Sequence, residues 1–237
     1  MKCSKILSAL ALSLLMAGAA NATELRLSVE TPPGHVRNQA AERWAEEIQK
    51  ESNGSITVSI FPGAQLYKSA DAVRALASGA LDLSIQASPT LSQFEPNLSV
   101  ITLPIFFGSS RDDVRKILDG SLGRELWGMV EKKGIVVPPG GHFEFAPNNS
   151  AYTTKKVVES YGDLSGVKLA TPPSPVVVSI LKEMGASPVA TPRSEIVLQL
   201  TQGQIDGLGS VTDLTIKGGK LWEAGIANAF ADNAGWG

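Results

Sequence analysis

Residues 24–63 read ELRLSVETPPGHVRNQAAERWAEEIQKESNGSITVSIFPG, and the fold class follows from this stretch. Leu25, Leu27 and Val29 alternate with polar neighbours, the period of a half-buried strand, and Pro32-Pro33-Gly34 breaks that pattern. Ala40, Ala41, Trp44, Ala45 and Ile48 then recur at helical spacing, while Glu42, Arg43, Glu46, Glu47 and Lys50 fall on the other side. Asn53-Gly54 is a helix stop. A second alternating run, Ile56, Val58 and Ile60 against Thr57 and Ser59, ends at Pro62-Gly63. The order is strand, amphipathic helix, strand.

Downstream the same order repeats. Ser69 is a candidate cap for a helix over 70–78, and Gly79 precedes a strand over Leu81–Ala87. Strands alternating with helices of this length build a mainly parallel sheet covered on both faces. Such sheets bind ligands at the carboxyl ends of their strands, which makes the loops 31–35 and 86–88, with His35, Gln86 and Ser88, candidate contacts. A strand is expected over Ser99–Leu103, then two helices, Arg111–Asp119 capped by Ser109 or Ser110, and Leu122–Lys133. Pro138-Pro139-Gly140-Gly141 punctuates the chain as a crossover. A second α/β series follows, with strands at 167–169, 188–190, 205–208 and 226–230, helices at 175–184 and 194–202, and a short helical turn at 213–217. The expected division is a leader over 1–22, a first α/β lobe over 23–140 and a second over 141–237.

The leader is legible from its three zones: Lys2 and Lys5, an apolar run from Ile6 to Met16, and small residues ending at Ala20-Asn21-Ala22. That is the pattern of an export signal cut after Ala22, and the apolar run is shorter than the ~20 residues a membrane span requires. The single cysteine, Cys3, lies ahead of that run, so the exported chain is expected to lack disulfides and a lipid anchor. An exported protein held together by its core in this way fits the bacterial periplasm. Of 21 basic and 23 acidic residues, only Lys2 and Lys5 leave with the leader, giving a mildly acidic product. Its basic residues are scattered, which argues against a nucleic-acid surface.

Catalytic and cofactor motifs are missing. His35 and His142 are the only histidines, too few for a transition-metal site of the usual nitrogen and sulfur ligands. There is no nucleophile elbow, phosphate-binding glycine loop or dinucleotide fingerprint. Ser179 and Lys182 match a Ser-x-x-Lys pattern but sit inside an expected helix without a second motif, and Asp112-Asp113 occupy a first helical turn, where acids suit the helix dipole. No cofactor, no metal and no enzymatic activity are expected.

Several segments, in order, carry a family resemblance: Thr31-Pro-Pro-Gly-His35, Asn53 to Gly63 with Gln65-Leu66, Ala75-Leu-Ala-Ser-Gly-Ala-Leu-Asp82, Leu103-Pro-Ile-Phe-Phe107, Asp163-Leu-Ser-Gly-Val-Lys-Leu169, Met184-Gly-Ala-Ser-Pro188, and Glu195 through Leu200 to Gly203-Gln-Ile-Asp-Gly207. In their spacing the chain resembles the solute-binding proteins of tripartite ATP-independent periplasmic (TRAP) transporters, the DctP-like group. The resemblance implies a two-lobed periplasmic-binding-protein-like α/β fold with crossing segments. It implies closure on a small solute, usually an organic acid, for delivery to the permease subunits of an ion-driven transporter. Family chains run on beyond the point matching Gly237, so the second lobe is expected to be incomplete.

The sequence departs from the family where it matters chemically. The arginine that in most members grips the solute carboxylate is replaced by Ala170, and a second arginine is missing from Phe143–Asn148. Arg193 stands where the family carries an apolar or aromatic residue facing the cleft. It either replaces the lost clamp from the opposite wall or caps local structure. Asn148, Ser210 and Asp213 complete the candidate contacts. Two solute classes stay open: an anion held by Arg193 with His35 and Asn148, or a neutral sugar or polyol held by hydroxyl and amide groups. The competing functions are a receptor for an ATP-driven (ABC) importer and an exported α/β hydrolase.

Overall fold

The computed structural model describes residues 22–106, 109–138, 147–232 and 235–236. The leader, His142 and the expected boundary near residue 140 therefore lie outside the described residues.

The opening stretch folds as its pattern dictates. Strand β1 (Thr23–Val29), helix α1 (Val36–Glu51) and strand β2 (Ile56–Phe61) are followed by helix α2 (Ser69–Ala77) and strand β3 (Leu83–Ile85). The three strands form one parallel sheet in the order β2-β1-β3, with Leu27 beside both Ile60 and Leu83. Leu27, Val29 and Ala41 pack together in its core with Val58, Ile60 and Ile85 around them. The stop at Asn53-Gly54 is real: both residues adopt left-handed backbone, at φ 51° and 76°, as a chain must to leave a helix and enter a strand within a few residues.

Beyond β3 come a short helix α3 (Ser88–Leu91), two 3₁₀ segments (Pro96–Thr102 and Pro104–Phe106), helix α4 (Arg111–Asp119) and helix α5 (Ser121–Glu131). The strand expected over 99–103 is thus a 3₁₀ helix. Pro96 fixes a helical φ at its start, and the Glu95 carboxylate accepts from the Asn97 amide at 3.0 Å, so the local backbone is committed before any sheet partner is met. Leu98 is then buried against Val73, Leu126 and Val130. Ser110 caps α4, accepting from the Asp113 amide.

The second series forms a five-stranded sheet from β5 (Ala151–Thr153), β6 (Lys168–Thr171), β7 (Ser187–Ala190), β8 (Gly207–Leu208) and β9 (Asn228–Phe230), in the order β7-β6-β8-β5-β9. Strands β7, β6 and β8 run parallel, and β5 runs against its two neighbours β8 and β9. Helices α6 (Pro175–Glu183), α7 (Ile196–Thr201) and α8 (Asp213–Gly218) cover it. Ser179 and Lys182 lie within α6. Gly207 is required where it stands: a Cβ there would lie 1.9 Å from the Tyr152 carbonyl oxygen on β5. Strand β4 (Pro147–Asn148), at the crossover, pairs with β10 (Gly235–Trp236) near the end of the chain.

Candidate functional site

The parallel strands of both sheets, β1 in the first and β6 and β7 in the second, point their carboxyl ends at one cleft. From the first sheet come Glu30, directly after β1, Ser69 at the start of α2, and Thr90. From the second come Ala170 and Thr171 at the end of β6, and Thr191 and Arg193 beyond β7. The free volume between the faces is about 20 Å³, room for roughly one water molecule, so the two walls are in near contact.

Glu30 is the centre of this contact. Its side chain is 6 % exposed; one carboxylate oxygen accepts from Arg37 Nη1 at 3.3 Å, and the other accepts from the Ser69 hydroxyl. Ser69, expected as a helix cap, instead begins α2, with Lys68 in the cap position and the Ser69 hydroxyl turned to Glu30. From the opposite wall Arg193 brings Nε to 3.7 Å from the same carboxylate, and its Nη1 donates to Thr215 Oγ1 at 3.1 Å. Thr215 is held by Thr212, the N-cap of α8, whose hydroxyl accepts the Thr215 amide. Burial pushes the Arg193 guanidinium below its ordinary value, and Arg37 down to about 10, with burial first and the neighbouring Arg193 second. Both stay charged at neutral pH. At the rim, Lys68 Nζ and Glu195 form an exposed pair at 2.8 Å that also spans the two walls.

The loop after β1 is locked by its own hydrogen bonds. Asn38 Nδ2 donates to the Thr31 and Pro32 carbonyl oxygens at 3.0 and 2.9 Å, and the Thr31 hydroxyl donates to Asn38 Oδ1. His35 is the N-cap of α1: its Nδ1 accepts the Arg37 amide at 3.1 Å, which leaves the proton of the neutral ring on Nε2. Burial, reinforced by Arg37 and Arg193, lowers the His35 pKa to about 4. Its ring packs on Gly218 of α8, where a Cβ would lie 2.5 Å from Cδ2, so this histidine too bridges the walls.

The other candidates are spread around this centre. Ala170 lines the cavity with 1 % exposure and places no cation at the end of β6. Gln86 donates to Ser84 Oγ at 2.6 Å, and its Oε1 is buried without a hydrogen-bond partner. Ser88 opens α3 between the cavity residues Ala87 and Thr90. Ser210 takes left-handed backbone at φ 55° beside Val211, which lines the cavity. Asp213 is half exposed and paired with Lys217 at 3.6 Å. The Asn148 side chain lies outside the described residues. Sequence reading missed Glu30, Ser69, Arg37 and Thr215; the one available signal was an acid at the exact carboxyl end of the first parallel strand.

Two α/β units with parallel strands aimed at a shared cleft, and charged groups buried between them, define a two-lobed solute-binding architecture. The family model described as bacterial extracellular solute-binding protein, family 7 (DctP), matches residues 27–224, and the chain belongs to that family. The C4-dicarboxylate-binding periplasmic protein DctP of Rhodobacter capsulatus is 27 % identical over 206 residues, covering 84 % of this chain and 59 % of that one. Among solved structures, a TRAP periplasmic solute-binding protein from Sulfurospirillum deleyianum with bound succinate is 25 % identical at TM-score 0.77, covering 85 % of this chain and 64 % of that one. A TRAP periplasmic solute-binding protein from Xanthobacter autotrophicus with bound β-D-galacturonate is 27 % identical at TM-score 0.77, covering 86 % and 66 % respectively. The chain spans between 37 % and 60 % of the length of the curated relatives it matches.

Proposed function

We propose that this protein captures a small organic acid outside the cytoplasm, without catalysis, and delivers it to the membrane subunits of a TRAP-type transporter. The observation that carries the reading is Arg193. It is a buried guanidinium on the cavity wall beyond β7, adjoining the position where Ala170 removes the cation that the family resemblance leads one to expect. A guanidinium offers a carboxylate paired, charge-assisted donors, and its position on one of two facing walls makes it a contact that forms as the walls close on a solute. The acids bound by the Sulfurospirillum and Xanthobacter proteins support the solute class. The basic-apolar-small leader ending at Ala22 supports export to the periplasm, as does the periplasmic Rhodobacter relative.

The test is a thermal-shift screen of the purified full-length protein against organic acids and against neutral sugars and polyols. Acids are expected to raise the melting temperature. Arg193→Ala is expected to weaken the best acid by about ten- to a hundredfold, the worth of a charge-assisted hydrogen bond at ~1.5–3 kcal/mol. Stabilisation by polyols alone would overturn the acid reading, and full acid affinity in the variant would remove Arg193 from the site.

A further inference from the structure

We infer that Thr171 supplies a second donor to the solute carboxylate held by Arg193, so that the end of β6 takes part in acid recognition through a hydroxyl group. The inference rests on the proposed solute-binding role and adds a residue to it. Thr171 is 2 % exposed and lines the cleft cavity together with Arg193. Its Oγ1 is shut away from solvent and meets no hydrogen-bond partner among the described residues. Neighbouring hydroxyls of the cavity are engaged. Ser69 donates to Glu30, and Thr191 Oγ1 lies 3.1 Å from both the Val189 carbonyl oxygen and Gln199 Oε1.

A buried hydroxyl without a partner destabilises the fold that holds it. Thr171 has little freedom to find relief within the protein. It is paired with Ala190 in the sheet, its carbonyl oxygen accepts from the Thr191 amide at 3.0 Å, and its branched side chain has few rotamers. The cavity it shares with Arg193 has a free volume of about 20 Å³, so a carboxylate that lodges there as the walls close reaches both groups. Arg193 supplies the charge and Thr171 a neutral proton donor, a set that serves the two oxygens of one carboxylate. The chain that follows favours the same charge. Pro172 and Pro173 line the cavity and lead into α6, whose N-cap Ser174 makes no side-chain cap, so the positive end of the helix dipole lies directly beyond the lining.

The test separates a solute contact from a structural hydroxyl. Thr171→Val replaces the hydroxyl by a methyl group of the same shape, and Thr171→Ser keeps the hydroxyl. Calorimetric titration of the full-length protein uses succinate, galacturonate and galactonate as probes. Thr171→Val is expected to weaken the tightest of them by about tenfold or more, the scale of a hydrogen bond to a charged group, and Thr171→Ser by about threefold or less. Without solute, Thr171→Val is expected to melt no more than about 1 °C below the wild type, because no protein contact is lost. In the double variant with Arg193→Ala the two losses are expected to fall short of multiplying, as they must when both groups hold one carboxylate. Acid affinity unchanged in folded Thr171→Val, or a solute-free melting temperature several degrees lower, overturns the inference while the effect of Arg193→Ala leaves acid capture standing. Losses that multiply fully overturn the shared carboxylate. Failure of all three probes to bind the wild type tells instead against the proposed function. Should Thr171→Val fail to fold by circular dichroism, Thr171→Ala takes its place in the titrations.

Discussion

Replacing His35 by asparagine should flatten the acid limb of the protein's stability. In the folded state the ring is 3 % exposed, caps α1 through Nδ1 and touches Gly218 across the cleft. Its pKa falls from 6.5 to about 4, first through burial and then through the Arg37 and Arg193 charges. A depressed histidine pKa means that the unfolded chain binds the proton more readily. The contribution is complete above pH 6.5, is lost progressively as pH falls through the window from 6.5 to 4, and is gone below it. At ~1.4 kcal/mol per pH unit, the wild type should lose about 2 kcal/mol by pH 5 and about 3 kcal/mol by pH 4 that His35→Asn does not lose. Asparagine keeps an N-cap acceptor and removes the titration. Carboxylates that titrate in both proteins cancel in the difference, and any packing defect against Gly218 appears as an offset independent of pH. Urea unfolding of both proteins at half-unit steps from pH 4 to 7.5 provides the measurement. A difference in unfolding free energy that stays constant across the window would refute a neutral, buried His35.

Two further outcomes concern the second sheet. Gly207→Ala should destabilise by about 3 kcal/mol or more, the scale of overpacking in a rigid interior, because the new methyl group meets the Tyr152 carbonyl at 1.9 Å and the backbone of β5 cannot yield; a melting temperature within 2 °C of wild type would contradict this. Leu208→Ala removes a side chain with 0 % exposure from the cluster of Ile196, Leu200 and Ile205, and differential scanning calorimetry should register a loss of about 2–5 kcal/mol.

The outline of the fold was legible because its signals are local. Period-two alternation in β1 and β2, helical spacing in α1 and the left-handed pair Asn53-Gly54 need only neighbouring residues. The strand expected over 99–103 is instead part of a 3₁₀ helix for the same reason: a short apolar run carries no mark of the partner it will meet, and here Pro96 and the Glu95 cap, with burial of Leu98 under α2 and α5, decide the outcome. Ser69 looks like a cap by sequence, but the carboxylate it satisfies belongs to Glu30, on another element.

By itself the sequence determined the alternation of strand and helix, the family, and the absence of an arginine at position 170. Tertiary structure decided which groups surround Arg193. Glu30, Arg37, Ser69, Arg193 and Thr215 come from five separate segments and both walls, and of these only Arg193 stood out in the sequence. Only when the carboxyl ends of parallel strands from two sheets face each other across a narrow cleft do these groups lose water, meet one another and gain electrostatic weight.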